Sequence, residues 1–148
     1  MEPVILLAED SNDDLLIFTR ALKRAQITHT LVAVDTGQEV IDYLAGEGRY
    51  GDRNAYPLPS LILLDLKMPL KNGFDVLEWL MDTESLRDIP AVVLSSSDEP
   101  RDIERALQLG ARTYLVKPPT AEMLLDVCNS LIGTQPPQDT GSTQRRFS

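Results

Sequence analysis

Five short apolar runs, which alternate with segments of helical spacing, constrain the fold of this chain more than any other feature. The runs occupy residues 4–8, 30–34, 61–65, 91–95 and 113–116. Strands that are apolar along their whole length are typical of a parallel sheet with helices on both faces. The 148 residues fit one domain of this kind. We therefore predict an α/β fold with a doubly wound, five-stranded parallel sheet.

The composition changes near the end of the chain. Residues 134–148 are polar, contain Pro and Ser, and close on Arg145, Arg146, Phe147 and Ser148. A segment of this composition cannot bury enough apolar surface to order itself. We predict a folded domain over residues 1–133 and a flexible C-terminal tail over residues 134–148. The tail is too short and too polar for a DNA-binding helical unit.

Composition and charge exclude several classes of function. The net charge is −9, whereas nucleic-acid binding depends on a basic surface. The chain has one histidine and one cysteine, too few for a zinc site built from these residues. No apolar run reaches the roughly 18 residues that span a bilayer, and the N-terminus lacks the basic start of a signal peptide. We expect a cytoplasmic protein that binds neither nucleic acid nor membrane.

Polar residues stand where the predicted strands end. Glu9 and Asp10 follow the first run, Asp65 ends the third, Ser95 ends the fourth and Lys117 follows the fifth. In open α/β sheets, ligands bind beyond the carboxyl ends of the strands. We therefore expect these five side chains to lie together at one edge of the sheet.

This grouping has a specific chemistry. Two carboxylates about 4 Å apart repel by roughly 4 kcal/mol at an effective dielectric near 20, so a cation is expected among three of them. Mg²⁺ suits hard oxygen ligands and usually keeps several waters, which leaves room for a phosphoryl oxygen. The Lys117 ammonium can neutralise the acids and hold a phosphoryl oxygen, and the Ser95 hydroxyl can donate to one. The sequence thus favours a magnesium-dependent phosphoryl acceptor.

Each residue also has a structural interpretation that the sequence alone leaves open. Glu9 and Asp10 also suit a helix cap or a solvated turn. Lys117 also suits a surface lysine before a turn, and Ser95 begins a run of three serines that suits a helix cap. The position of all five at strand ends favours the functional interpretation.

The ordered set resembles the receiver domain of two-component response regulators. The resemblance covers about residues 3–132 and is carried by Glu9, Asp10, Asp65, Lys67, Met68, Pro69, Gly73, Ser95, Lys117 and Pro118. It implies a flavodoxin-like (βα)5 fold with strand order 2-1-3-4-5. It also implies that the chain is a phosphoacceptor and no enzyme, catalysing at most its own phosphorylation and dephosphorylation.

The resemblance assigns the phosphoryl chemistry. Asp65 would accept a phosphoryl group from a phosphohistidine on a sensor histidine kinase, and Ser95 and Lys117 would bind it. Phosphorylation adds roughly 1.5 to 2 negative charges. Tyr114 would be the switch aromatic that turns inward when Ser95 moves, although a half-buried strand tyrosine explains the same position. The change is a population shift between two packings.

The resemblance also assigns the metal site. Asp10, Asp65 and the backbone carbonyl of Lys67 would ligate Mg²⁺ directly, and Glu9 would act through a coordinated water. The peptide bond between Lys117 and Pro118 would be cis.

Residues 46–59 interrupt the alternation with a long connection rich in Gly, Pro, Asp, Asn and Tyr. This segment is similar to the long loop of stand-alone regulators that partner bacterial and cyanobacterial phytochromes; solvated filler is the competing interpretation. A phytochrome is therefore the candidate kinase. The alternative is a chemotaxis-type or phosphorelay-intermediate receiver that serves a non-photosensory kinase. Since the tail offers no DNA-binding unit, we expect the chain to signal by protein–protein contact, with a downstream protein that the sequence does not specify. We also expect a homodimer through a face that includes Ile103, Leu107 and Tyr114.

Two other function classes use the same fold type. A haloacid-dehalogenase-type phosphatase would need a second aspartate two residues after the nucleophile, where this chain has Lys67. A flavodoxin-like flavin binder would need a phosphate loop after the first strand, where this chain has Glu9 and Asp10. Both are therefore disfavoured against the receiver.

Overall fold

The computed structural model describes residues 3–132 of the chain. Its strands are β1 Val4–Ala8, β2 Thr30–Val34, β3 Leu61–Leu64, β4 Ala91–Ser95 and β5 Thr113–Val116. Its α-helices are α1 Asn12–Arg24, α2 Gly37–Ala45, α3 Gly73–Met81, α4 Pro100–Gln108 and α5 Ala121–Leu131. All five predicted strands are present, and only β3 stops one residue early, directly before Asp65. The tail predicted at residues 134–148 lies outside the described residues.

The strands form one parallel sheet in the order β2-β1-β3-β4-β5, which confirms the predicted fold class and strand order. One face packs against α1 and α5, and the other packs against α2, α3 and α4. The sheet and helices α1 and α5 form the first core, and the sheet and helices α2, α3 and α4 form the second. Successive residues of β1 point into opposite cores, so that Ile5 belongs to the first core and Leu6 to the second. Burial on both faces explains why the central strands β1, β3 and β4 are almost entirely apolar. Within residues 3–132, the helices are too short or too polar to cross a membrane.

Side-chain caps fix where most helices begin. Ser11, Thr36 and Thr120 each accept a hydrogen bond from the backbone N–H three residues later. At α3, Asn72 and Asp75 form a reciprocal capping box. Because each cap follows a strand end after a short connection, the helix starts line the carboxyl edge of the sheet.

Part of the connection at residues 46–59 packs against the domain, although most of its residues are exposed. It contains a 3₁₀ helix, Gly48–Gly51, and Tyr50 within it is only 4% exposed. The Tyr50 ring lies with its centroid 4.9 Å from that of Tyr43 and 5.0 Å from that of Tyr56. The Tyr43 hydroxyl donates to the Pro57 carbonyl oxygen at 2.8 Å. A three-ring cluster thus joins the connection to the second core.

Arg53 ties the same connection to the C-terminus of α2. Its guanidinium donates to the carbonyl oxygens of Tyr43 and Leu44, each at 2.8 Å, and to that of Tyr56 at 3.1 Å. The last carbonyls of a helix have no partner within the helix, and a cation also complements the helix dipole there. Arg53 therefore completes α2 and holds the connection against it.

We predict that Arg53→Met lowers the free energy of unfolding by about 2 kcal/mol, because helix-end carbonyls lose a charged donor. Urea denaturation followed by circular dichroism measures the change. Arg101→Met is the matched control: Arg101 Nη2 lies 3.9 Å from Glu99 Oε1 at the surface and the Arg101 side chain is 90% exposed, so its loss should change stability little. Equal destabilisation by the two variants would contradict the proposed role of Arg53.

Candidate phosphoacceptor site

The register of the sheet brings the predicted site residues together. Strands β1 and β3 end in register, so Glu9 and Asp65 leave the sheet side by side. The Asp65 N–H donates to the Ala8 carbonyl oxygen at 3.3 Å. Strands β4 and β5 also end in register, and the Lys117 N–H donates to the Ser95 carbonyl oxygen at 2.8 Å. The backbone of four strands therefore sets the spacing of the site.

Lys117 joins three carboxylates at this edge. Its Nζ lies 2.6 Å from Glu9 Oε1, 2.8 Å from Asp14 Oδ2 and 2.9 Å from Asp65 Oδ2. The exposed fractions of the side chains are 11% for Lys117, 3% for Glu9 and 12% for Asp65. Ion pairs removed from water in this way are screened little by salt. The lysine therefore holds the resting site together.

Burial and charge shift the acid–base properties of two of these groups. Burial raises the pKa of the Glu9 carboxyl, and hydrogen bonds from Lys117 and the Ser11 N–H offset only part of the effect. Burial alone would lower the pKa of the Lys117 ammonium, but the hydrogen bonds to Asp14, Glu9 and Asp65 outweigh it, so the net pKa is raised. The lysine therefore stays charged in the resting site.

The acidic residues fit a divalent cation. Ligand oxygens of Glu9, Asp10 and Asp65 lie within 4.8 Å of one another. Glu9 and Asp65 are buried, whereas Asp10 is exposed. Carboxylate oxygens suit Mg²⁺, Mn²⁺ and Ca²⁺. One lysine cannot neutralise all these acids, so the donor set has both the atoms and the negative charge that such an ion requires.

Two glycines let neighbouring helices approach the connection that carries Asp65. A Cβ atom at Gly73 would lie 2.7 Å from the Asp65 carbonyl oxygen, and one at Gly37 would overlap the Lys71 carbonyl oxygen. Lys71 and the preceding Leu70 have positive φ values of 113° and 56°, a conformation that costs energy in residues with side chains. Close packing against the starts of α2 and α3 therefore holds this strained connection in place.

A chain of hydrogen bonds runs from Ser95 to α4 and β5. The Ser97 N–H donates to Ser95 Oγ at 3.1 Å, and the Ser97 hydroxyl donates to Asp102 Oδ2 at 2.7 Å. The Tyr114 hydroxyl donates to the Ser97 carbonyl oxygen at 2.8 Å. Glu99, the residue at the N-cap of α4, makes no side-chain capping bond; its N–H donates to Ser97 Oγ at 3.3 Å. Movement of Ser95 would therefore disturb α4 and Tyr114 together.

The structure brings Glu9, Asp10, Asp65 and Lys117 together and places Ser95, 1% exposed, at the same edge. The bond between Lys117 and Pro118 is cis, as the resemblance implied. The Lys67 N–H donates to Asp65 Oδ1 at 3.2 Å; its carbonyl as a metal ligand stays a prediction.

The sequence interpretation missed one contact of the site, that of Asp14 with Lys117. From the sequence pattern alone, Asp14 is only an acid in the first turn of a helix, where it suits the helix dipole. Its position four residues after Asp10, on a helix that starts at the same sheet edge, is the signal that could have identified it.

The sequence pattern of the response regulator receiver domain matches residues 5–129. The chain belongs to this family. It is 37% identical over 114 residues to the response regulator Rcp1 of Synechocystis, which covers 77% of this chain and 76% of Rcp1. The receiver is thus supported over the phosphatase and flavin-binding alternatives.

Solved structures of relatives agree with the fold of this receiver. The phosphorylated cyanobacterial phytochrome response regulator RcpA has a TM-score of 0.77 and 31% identity, over 92% of this chain and 98% of RcpA. The Mn²⁺-bound form of Rcp1 has a TM-score of 0.76 and 32% identity, over 91% of this chain and 99% of Rcp1. The chain is therefore a response regulator receiver of the two-component type.

We predict that Lys117→Met lowers the free energy of unfolding by about 3 kcal/mol in the presence of a chelator, because buried carboxylates lose their cation. Added Mg²⁺ should stabilise this variant more than the wild type, since no ammonium competes for the oxygens. Urea denaturation with EDTA and with Mg²⁺ measures both effects.

Lys67→Met is the control for this prediction, because Lys67 is an exposed lysine in the same connection as Asp65. Its loss should change the free energy of unfolding by no more than about 0.5 kcal/mol. A Lys117→Met variant as stable as the Lys67→Met variant in EDTA would contradict the role given to Lys117.

Proposed function

We propose that Asp65 is the phosphoacceptor of this receiver and that Lys117 and Ser95 bind the phosphoryl group. The observation that carries the proposal is the Lys117 ammonium, 2.9 Å from Asp65 Oδ2. A phosphoryl group joined to Asp65 would place its oxygens within reach of this ammonium. Asp65 is 8% exposed, so the acceptor is shielded yet reachable from the sheet edge.

The proposed reaction is a phosphoryl transfer from histidine to aspartate. A carboxylate oxygen of Asp65 attacks the phosphorus of a phosphohistidine; the O–P bond forms as the P–N bond breaks, and the leaving imidazole nitrogen takes up a proton. Catalysis of such transfers is mainly positioning and stabilisation of charge on the phosphoryl oxygens. Lys117 supplies a fixed positive charge and Ser95 a hydroxyl donor. By the same groups, the receiver would catalyse only its own phosphorylation and dephosphorylation.

Mg²⁺ is the cation that we propose for the acidic cluster. Asp10, Asp65 and the Lys67 carbonyl would bind it directly, and Glu9 would bind one of its waters. The ion would supply positive charge to the phosphoryl oxygens. The Mn²⁺ in the Rcp1 structure supports a hard divalent cation at a site of this family.

Tyr114 is the proposed switch residue. Its hydroxyl donates to the carbonyl oxygen of Ser97, which lies two residues after Ser95 in the chain. In the structure, Ser95 Oγ accepts a hydrogen bond from the Ser97 N–H. A phosphoryl group that draws the Ser95 hydroxyl toward itself would therefore also move Ser97. Tyr114 and α4 would then repack, which changes the surface offered to a downstream protein.

We predict that Asp65→Asn abolishes labelling by ³²P-acetyl phosphate with Mg²⁺, because an amide oxygen is a poor nucleophile and forms no acyl phosphate. Asp98→Asn is the matched control, since Asp98 is an exposed aspartate in the β4–α4 connection at the same edge. It should be labelled like the wild type. Equal labelling of both variants, or none in the wild type, would contradict the assignment.

A sensor histidine kinase is the proposed phosphoryl donor, and its docking place is a groove beside Lys117. A pocket of about 200 Å³ between α1 and the β5–α5 connection is lined by Ile17, Leu94, Pro118 and Lys117. Ile17 is 41% exposed. Exposed apolar side chains next to a charged site suit a protein partner that must bring a histidine to it.

A phytochrome is the proposed sensor, with a kinase of another stimulus as the alternative. The support is the similarity to RcpA, which is a phytochrome response regulator, together with the length and composition of the connection at residues 46–59. The cytoplasmic location, the lack of nucleic-acid binding, signalling through contact with a downstream protein and a homodimer through Ile103, Leu107 and Tyr114 stay predictions.

We predict that Ile17→Asp slows phosphotransfer from a phosphorylated phytochrome-type histidine kinase at least tenfold, because an apolar side chain that the kinase would cover becomes a charge. Labelling by acetyl phosphate, which needs no docking surface, should change less than twofold. Leu107→Asp is the control, since Leu107 is 46% exposed on α4, away from the groove. If Ile17→Asp lowered the rate of phosphorylation by the kinase and by acetyl phosphate by the same factor, the effect would lie in the phosphoacceptor site itself, which would contradict a docking role.

A further inference from the structure

Asp14 is a partner of Lys117 to which the proposed function gives no role. Its Oδ2 accepts from Lys117 Nζ at 2.8 Å, a distance between those to Glu9 and Asp65. Its side chain is 37% exposed, whereas that of Glu9 is 3% exposed and that of Asp65 is 12% exposed. Asp14 also lines the groove beside the site. It is therefore both a ligand of the lysine and accessible from outside.

The three carboxylates that accept hydrogen bonds from Lys117 differ in whether they could also bind a cation. A lysine ammonium has three N–H donors, and here each has a carboxylate. Glu9 and Asp65 also belong to the cluster whose oxygens lie within 4.8 Å of one another, and Asp14 does not. When a cation takes charge from Glu9 and Asp65, both become weaker acceptors for the lysine. Asp14 is the carboxylate partner whose bond to Lys117 is unaffected by that competition.

We propose that Asp14 is a positioning residue, which keeps the Lys117 ammonium at the site while Glu9 and Asp65 serve the cation and the phosphoryl group. This inference rests on the proposed function. Because the bond to Asp14 is retained, Lys117 can lose its hydrogen bonds to Glu9 and Asp65 at a lower cost in free energy. Asp14 thereby favours binding of the cation through Lys117, in addition to the general attraction between opposite charges.

The test separates the effect of Asp14 through Lys117 from the general attraction between the negative charge of Asp14 and the cation. Asp14→Asn removes one charge and keeps an oxygen that Lys117 can contact. Asp13→Asn is the matched control, because Asp13 is an acid in the same first turn of α1 and is exposed, so the helix-dipole and long-range effects are similar. Each change is made in the wild-type chain and with Lys117→Gln. Calorimetric titration with MgCl₂ gives the dissociation constant of each protein.

With Lys117 present, we expect Asp14→Asn to raise the dissociation constant for Mg²⁺ about fivefold more than Asp13→Asn does, a size typical of coupled contacts. With Lys117→Gln, the two changes should have the same effect. The rate of labelling by acetyl phosphate should fall in parallel for Asp14→Asn alone. Equal effects of the two changes in both backgrounds, or tighter Mg²⁺ binding by Asp14→Asn, would overturn the role of Asp14.

The same proteins distinguish failure of this inference from failure of the proposed function. A wild type that takes no label and binds no Mg²⁺ overturns both. A wild type that is labelled on Asp65, with Asp14→Asn indistinguishable from Asp13→Asn, overturns the inference alone.

Discussion

The bond of one buried ammonium to several carboxylates is the interaction on which the site depends. Lys117 and Glu9 are 108 residues apart in the chain, and only the parallel sheet brings them within 2.6 Å. Four acids surround this edge, and one lysine cannot neutralise them all. The resting site therefore retains negative charge that attracts a cation, and the structure that creates this imbalance is the same one that buries the strands.

The architecture explains why so polar a site can sit on so apolar a sheet. Strands β1, β3 and β4 are buried along their whole length, so the polar atoms must begin where the strands end. At that edge the starts of α1, α2, α3 and α5 are capped by N-cap side chains, and the connection after Asp65 is held by the close approach of Gly37 and Gly73. Rigid elements thus fix the acceptor, while the groups that must move lie in the connections.

The strands and the strand-end residues could be predicted because both follow local rules. An apolar run bounded by polar residues is visible in the sequence, and parallel strands share one carboxyl edge. The bond from Asp14 to Lys117 and the burial of Tyr50 could not be predicted in this way. Each depends on where a side chain of one element meets another element, a contact set by packing of the whole chain. The connection at residues 46–59 is polar in composition, and only the fold shows that its tyrosines share one cluster.

The Lys117 donors that a phosphoryl group would need are already engaged in the resting structure. The three N–H groups of Lys117 have carboxylate partners, and Ser95 Oγ accepts from the Ser97 N–H. A new acceptor at Asp65 can therefore gain a bond to Lys117 only if the lysine gives up one that it has. The hydroxyl of Ser95 can turn to it, but movement of Ser95 strains the contacts of Ser97 with Asp102 and Tyr114. Competition for a fixed number of donors is thus a physical reason why modification at one edge would change the surface of α4 and β5.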